Sequence, residues 1–252
     1  MRAAVHQSPS DLYTICPRGA GGMTLTVQKE VPSIIIITAL LCILCVYAGG
    51  KIKKADPYEK PTGIVFAALA LIEWIDGMVA STVRPAYVEK LGPYIGSLAM
   101  YLVCANLSGL FGFNTPTMNL SVTLALALIT WLLIQATAFK TNGFLGYFKG
   151  LFEPVPFLFL GNVIGKFSPL ISLSMRLFGN ILAGSILMSL IYTATGGLSK
   201  LLLGWTGIDF NILGVFLAPI FHAYFDVFAG FIQMYIFISL TMALVSNELG
   251  YE

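Results

Sequence analysis

Charged side chains are scarce in this chain. Only 10% of its 252 residues are Asp, Glu, Lys or Arg, whereas an ordinary soluble domain carries roughly 25%. The mean hydropathy is +0.85, so the chain has too little polar surface to face water on all sides. We therefore predict an all-α polytopic membrane protein, because a helix satisfies its own backbone hydrogen bonds in lipid.

Histidine and cysteine are also sparse, which argues against several kinds of site. The two histidines, His6 and His222, supply neither a metal cluster nor the base of a nucleophilic enzyme. Cys42 and Cys45 form a C-x-x-C in an apolar segment, where they predict helix packing rather than zinc binding. No Walker loop or clustered basic patch occurs. We expect no cofactor, no metal, no nucleic-acid partner and no catalytic site of the chain's own.

Hydrophobic segments follow one another along the rest of the chain. Four have roughly the ~20 residues that one crossing needs, at residues 31–50, 62–82, 91–112 and 119–138. The second of these carries Glu73, Trp74 and Asp76 among apolar neighbours, which indicates an interfacial helix. We predict about five transmembrane helices plus this interfacial helix.

The last two apolar segments, residues 157–195 and 211–246, are too long for a single upright crossing. A hydrocarbon core is only ~30 Å thick, and neither segment has a polar break in its middle. The pattern predicts two long, strongly tilted helices packed as a hairpin and joined around residues 196–209.

The chain is expected to divide into an N-terminal extension, residues 1–30, and a single membrane domain, residues 31–252. Residues 1–22 are polar and precede Met23, so they are either an upstream misread start or a disordered extension. The lysines that follow the first span predict a cytoplasmic position for that end, namely Lys51, Lys53, Lys54 and Lys60. The N-terminus is then outside, and the C-terminus is cytoplasmic by parity of crossings.

Arg176 is the most informative residue. Lys166 is the only other charged residue in the apolar stretch 157–192. A cation near the bilayer centre costs about 2.5–3.5 kcal/mol on insertion scales, and a guanidinium cannot escape that cost by losing its proton. Asn180 lies one turn later on the same face. The alternative to a functional role is a structural pair with a carboxylate of a neighbouring helix.

Asp226 is the only formally charged side chain between Asp209 and Glu248. His222 precedes Asp226 by one turn, and Gln233 follows it by two turns on nearly the same face. Such a stripe of intramembrane polar groups predicts an ion or proton path. The alternative is that Asp226 pairs with Arg176 or His222 only to stabilise packing.

Several motifs resemble subunit a of the F-type ATP synthases. The most specific is Ser-Leu-Ser-Met-Arg-Leu-Phe-Gly-Asn-Ile-Leu-Ala-Gly at residues 172–184. Supporting stretches are Asn-Leu-Ser at 106–108, Pro-Thr-Met-Asn-Leu-Ser-Val-Thr-Leu at 116–124 and Phe-Ile-Gln-Met-Tyr-Ile-Phe-Ile-Ser-Leu-Thr at 231–241. The resemblance covers roughly residues 31–246 in the order of the family.

The resemblance implies roles for individual residues. Arg176 matches the essential arginine that faces the carboxylate of the rotating c-ring, and Asn180 and Gln233 match polar residues near it. Asn106 matches a residue of the half-channel that opens to the outside. Asp226, with His222 nearby, falls at one position of a proton-handling pair in that channel.

Several positions depart from common patterns of the family, including Asp226, which stands where many members have His or Glu. Ser185 stands where many members have Glu or His as the partner of the residue at 226, and it cannot titrate. Asn162 stands where many members have Glu in the exit path. We expect both to line the channels, with Asp226 and His222 carrying the outer path without a second acid.

The resemblance thus implies a stator subunit of the membrane sector of a proton-translocating ATP synthase, in the bacterial cell membrane. It provides two half-channels for H⁺ or Na⁺ to and from the c-ring. The implied partners are the c-ring subunits, subunit b of the peripheral stalk, the F1 sector through the assembled complex, and the lipid bilayer. The alternatives are an independent ion channel or secondary transporter, which the lack of an internal repeat disfavours, and a purely structural stator.

Overall fold

The computed structural model describes residues 5–7, 12–15, 25–28, 30–55, 60–152, 156–203 and 211–250. Before the first helix lie three short antiparallel strands, β1 (Val5–Gln7), β2 (Leu12–Ile15) and β3 (Leu25–Gln28), which pair in the order β1-β2-β3. The sequence pattern did not predict these strands, because three or four residues are too few to reveal an alternation of apolar and polar side chains.

The first four helices are α1 (Glu30–Lys54), α2 (Ile64–Thr82), α3 (Pro85–Leu107) and α4 (Leu120–Phe152). Local chemistry explains their ends. Glu30 in the first turn and three lysines in the last turn of α1 complement the helix dipole. Proline at the first position of α3 has no backbone N–H to leave unsatisfied. Gly143, at φ 68°, interrupts α4.

The predicted hairpin of two long helical units at the end of the chain is confirmed. α5 (Phe159–Leu203) is one helix of 45 residues, or roughly 67 Å at ~1.5 Å per residue. α6 (Ile212–His222) continues through a π-helical segment, Ala223–Phe228, into α7 (Ala229–Glu248). α5 packs along α6 and touches α7 as well. The first helix of the hairpin therefore ends later than predicted, and the π-helical segment was not predicted.

Six helical segments are long and apolar enough to cross a membrane. They are α1, α2, α3 with its following turn, α4, α5, and the α6–α7 unit. The helical polytopic fold class is confirmed. α2 is one of these six helices by length and composition, but two observations favour the interfacial position predicted for it from the sequence. Its first turn shares a cleft with Lys51 and Lys54 of α1, and its last residue, Thr82, accepts a hydrogen bond from Ser246 near the end of α7.

The buried core lies between α2, α3, α4, α5 and α7, with Leu102, Leu177 and Phe237 fully inaccessible. α1 is peripheral, since only Ser33 and Ile37 of its residues are buried. Because lipid is as apolar as leucine, van der Waals packing and hydrogen bonds between helices hold such a core together. One such bond joins the Tyr94 and Thr130 hydroxyls of α3 and α4 at 2.8 Å.

Candidate functional site

Arg176 lies near the middle of α5 on the face that points away from the bundle. Leu173, Ser174 and Leu177 are buried, whereas Met175 and Arg176 are exposed. Within the described part of the chain, the guanidinium forms no hydrogen bond and no ion pair. The alternative of a structural carboxylate partner therefore finds no candidate among the described residues.

Among the described residues, the helix surface on either side of Arg176 has open space at two glycines. Gly165 precedes Arg176 by eleven residues, so the two lie within roughly 20° of each other around the helix. Ser172 is exposed between them. A Cβ atom built on Gly165 or Gly179 would meet no heavy atom within 4 Å. We call Gly165, Ser172, Arg176 and Gly179 the open face of α5, and small residues on such a face allow another helix to approach closely.

Two predicted channel residues follow Arg176 on α5. Asn180 is half-buried one turn later. Ser185 is also half-buried, but its hydroxyl donates to the Leu182 carbonyl of its own helix at 2.8 Å. The structure therefore gives the Ser185 hydroxyl a backbone acceptor, and the side chain that contacts Asp226 comes from elsewhere.

His222 and Asp226 form a direct pair. Nδ1 of His222 lies 2.5 Å from Oδ2 of Asp226, and the opposite ring nitrogen lies 2.8 Å from the Tyr192 hydroxyl of α5. The three side chains thus make a continuous hydrogen-bonded chain from α5 to the π-helical segment. Of the partners first considered for Asp226, the structure selects His222.

The π-helical segment sets the geometry of this pair. Asp226 lies inside it, and His222 is the residue before it. A π-helix winds more widely than an α-helix, and such insertions occur often at functional sites. Wider winding turns the side chain at position 226 relative to an unbroken helix, so the path from Asp226 to Gln233 is not a straight stripe.

A cleft of about 470 Å³ opens beside His222 at the end of the hairpin. It is lined by Tyr192 and His222 together with the first turns of α6. Asn211 lies at its rim, accepts from the Gly214 N–H at 2.8 Å and thereby caps α6. Its amide group also donates to the Thr195 hydroxyl at 3.2 Å. Polar groups therefore run from the hairpin end to His222.

Asn106 joins α3 to α7 at a buried contact. Its amide nitrogen donates to the Gly230 carbonyl at 3.1 Å, and its oxygen accepts from the Thr117 hydroxyl at 3.1 Å. Gln233, three residues beyond Gly230, is only 4% exposed. Its Nε2 is the one buried side-chain nitrogen or oxygen without a partner in the described residues. A buried amide without a partner is unfavourable, so Gln233 has donor capacity to offer a water or an ion-bearing group.

Asn162 lies near the start of α5, at the opposite end of that helix from the cleft beside His222. Its amide donates to the Leu151 carbonyl of α4 at 3.0 Å. The same region holds an ion pair between Lys166 and Glu248. Neither Tyr192 nor Glu248 was predicted as a site residue. A tyrosine near a helix end and an acid at the end of a helix both resemble ordinary interfacial residues, so the sequence carried no signal for either.

The fold and these residues define a multi-pass helical membrane protein that carries Arg176, His222 and Asp226 on its two longest helical units. Residues 31–246 match the family described as ATP synthase A chain. The chain therefore belongs to that family, the subunit a of the Fo membrane sector.

Individual relatives agree with this membership. The chain is similar to an ATP synthase subunit a of Chlorobium phaeobacteroides, at 30% identity across 98% of this chain and 74% of the relative. A subunit a of Desulfotalea psychrophila is 34% identical across 75% of this chain and 83% of the relative. The "ATP synthase subunit a, sodium ion specific" of Propionigenium modestum is 36% identical across 64% of this chain and 55% of the relative.

Proposed function

We propose that this chain is the stator subunit that carries ions to and from a rotating c-ring through two half-channels, with Arg176 facing the ring carboxylate. The observation that carries the proposal is an exposed guanidinium in mid-helix without a partner in the described part of its own chain. Because such a cation is unfavourable in lipid, its partner is expected on another subunit. The open face of α5 leaves room for that subunit.

The working cycle follows from charge and dielectric. A ring carboxyl facing lipid must be neutral, since a bare carboxylate in hydrocarbon is prohibitive. Beside Arg176 the ionised form is favoured, so the carboxyl releases its ion to one half-channel. Rotation then brings the site to the other half-channel, where it is loaded again. The fixed positive charge also opposes direct leakage between the two half-channels.

The outer half-channel runs from the hairpin end inward. The cleft beside Tyr192 and His222 supports a water-filled mouth, and the bonded pair His222–Asp226 supplies groups that can pass an ion or a proton. Asn106 and Gln233 continue the polar path towards α5. Ser185 lines this path as a hydroxyl and does not titrate. Asn162 belongs to the inner half-channel at the other end of α5.

The distribution of basic residues supports the predicted orientation. Contacts between Arg84 and Gly250 and between Lys166 and Glu248 bring the starts of α3 and α5 to the end of α7. Lys140 and Lys149, late in α4, precede the connection to the start of α5. This end, with the lysines of α1, is cytoplasmic by the positive-inside rule. The N-terminus then lies outside a bacterial cell membrane.

The remaining partners follow from membership in the family. The c-ring subunits are assigned to the open face of α5, and lipid to the exposed apolar side chains of the other helices. Subunit b of the peripheral stalk and the F1 sector bind in the assembled complex, where nucleotide chemistry takes place.

The test replaces Arg176 by alanine in the assembled complex. Arg176→Ala is expected to leave assembly intact and to reduce ATP-driven ion pumping in vesicles by roughly 1,000-fold or more, because the charge that ionises the ring site is gone. Exposed Lys90→Ala is the matched control. A purely structural stator predicts retained pumping in both variants, and an independent channel predicts ion flux from the purified chain without a ring.

A further inference from the structure

A second pair of charged side chains lies at the cytoplasmic end of α5, in the same region as Asn162. The Lys166 ammonium is 2.5 Å from a Glu248 carboxylate oxygen, and the two side chains are 30% and 18% exposed. Glu248 is the last residue of α7 and Lys166 lies two turns into α5. The pair therefore joins the two ends of the hairpin that lie farthest from its connecting loop.

The pair faces a cavity of about 320 Å³ between α4, α5 and α7. Gln135, Asn162, Lys166 and Glu248 supply its polar lining, and the last two are its only charged lining residues in the described part of the chain. The cavity is large enough for several waters and offers each of them polar partners. It therefore suits water rather than lipid.

A hydrogen-bond network holds Lys166 in position. The Trp131 indole N–H donates to the Lys166 carbonyl at 2.7 Å. The Lys166 ammonium lies 5.5 Å from the centre of the Tyr147 ring, and the Tyr147 hydroxyl donates to Gln135 at 2.7 Å. Both the backbone and the head group of Lys166 are thus fixed by α4, and the direction of its charge is defined.

Part of the cavity lining lies on the same side of α5 as Arg176. Gly165 lines the cavity and also belongs to the open face of α5. From Gly165 to Arg176 the distance along the helix is roughly 17 Å, at ~1.5 Å per residue, and Ser172 is the exposed residue between them. Because Gly165 has no side chain, it leaves space between the cavity and the open face of α5.

We propose that this cavity is a proton-exchange site of the inner half-channel, with Glu248 as its proton-carrying group and Lys166 as the residue that positions it. The proposal rests on the proposed function of the chain and names its ion as the proton. Glu248 thereby supplies, from the end of α7, the carboxylate that Asn162 does not provide on α5.

The chemistry is a simple proton relay. A ring carboxyl beside Arg176 gives its proton to water, and that proton reaches the Glu248 carboxylate as its contact with Lys166 opens. The neutral carboxyl then returns the proton to cytoplasmic water and the pair closes again. A proton binds covalently to a single carboxylate oxygen, whereas a sodium ion needs several oxygen ligands beside an ammonium that repels it. Tyr147 of α4 lies beside the Lys166 ammonium, and Arg84 bonds the Gly250 carbonyl two residues after Glu248.

The experiment measures proton conduction through Fo in vesicles stripped of F1, driven by a potassium diffusion potential. Glu248→Gln is expected to lower the rate of proton conduction about tenfold. A positioned acid–base group contributes roughly 100-fold or more to the rate of proton transfer, and water in the cavity can carry part of the flux without it. Glu248→Asp should restore most of the flux. The control, Glu89→Gln, changes an exposed acid of α3 and should leave conduction unchanged.

A double variant separates proton carriage from packing. Lys166→Gln with Glu248→Gln removes both charges, and neutral replacement of a buried pair is often tolerated structurally. Conduction that stays low in the double variant, with normal assembly, supports the proposal. Recovery to the wild-type rate would mean that the pair only braces the helices, and the proposal would fall. A wild-type complex that transports Na⁺ and not H⁺ would also overturn it, and would leave the proposed role of Arg176 intact.

Discussion

Arg176 and Lys166 are two cations on one helix, ten residues apart, and their surroundings in the fold are opposite. Lys166 has a carboxylate at 2.5 Å, an aromatic ring beneath its ammonium and a fixed backbone. Arg176 is exposed and has no partner in the described part of the chain. This difference supports the proposal that Lys166 is paired within the chain, whereas Arg176 meets a group from outside it.

This contrast explains why the two residue types differ. An ammonium suits Lys166 because a single carboxylate and a ring face receive it. The proposed role of Arg176 needs a positive charge that persists even when no carboxylate is beside it. A guanidinium keeps its proton in such an apolar site, whereas a lysine ammonium can lose its proton. The identity of each cation therefore matches whether its proposed partner belongs to the same chain.

The largest expected effect comes from exchanging the cation types. Arg176→Lys should reduce ATP-driven pumping by roughly 1,000-fold, because the replacement can neutralise itself and lacks the planar fork that binds a carboxylate. Lys166→Arg should keep most of the activity, since Glu248 remains to pair with it. Equal losses in the two variants would remove the distinction between the two sites.

The outer half-channel gives the next largest effect. Asp226→Asn should lower pumping by roughly 100-fold, because the His222 pair loses its ionisable acid. Tyr192→Phe removes one hydroxyl from the same hydrogen-bonded chain and should lower pumping less than Asp226→Asn does. If pumping survives Asp226→Asn while His222→Ala abolishes it, the ion follows the histidine and not the acid.

The comparison of partnered and unpartnered positions extends to glycines. A Cβ on Gly230 would lie 3.2 Å from the Cβ of buried Asn106, whereas Gly197 has no neighbour within 4 Å. Gly230→Ala should destabilise the protein by about 1–3 kcal/mol through overpacking. Gly197→Ala should leave the stability of the protein unchanged. Thermal melting followed by tryptophan fluorescence in detergent measures both, and equal melting temperatures would contradict the close approach of α3 and α7.

The smallest effect is expected at the hairpin end. Asn211→Ala removes the cap of α6 and should cost about 1 kcal/mol of stability, while Asn211→Asp retains an acceptor for the Gly214 N–H. The same melting experiment distinguishes them. A variant Asn211→Ala that melts like the wild type would show that the hairpin end holds together without the cap.

Hydropathy predicted the helices well because lipid imposes a length and a composition on each span. The long final hairpin followed from the absence of any polar break. Short features escaped this logic. The π-helical segment Ala223–Phe228 has no composition of its own, and the strands before α1 are too short for a period to appear.

From the sequence, the site residues could be identified mainly where a charged side chain interrupts an apolar stretch. Arg176 and Asp226 stood out for this reason, and one turn of spacing suggested the contact between His222 and Asp226, which the structure confirms. The pairing of Lys166 with Glu248 joins residues 82 apart in the chain. No local pattern encodes such a contact, because it depends on how the hairpin closes against α4.

The central claim is that Arg176 finds its partner on the rotor. The most direct measurement is the separation between the Arg176 guanidinium and the nearest ring carboxylate in a structure of the assembled complex. We predict a separation within about 4–6 Å, the range in which an opposite charge favours ionisation. A guanidinium turned away from the ring, or paired with a carboxylate of its own chain, would contradict the account.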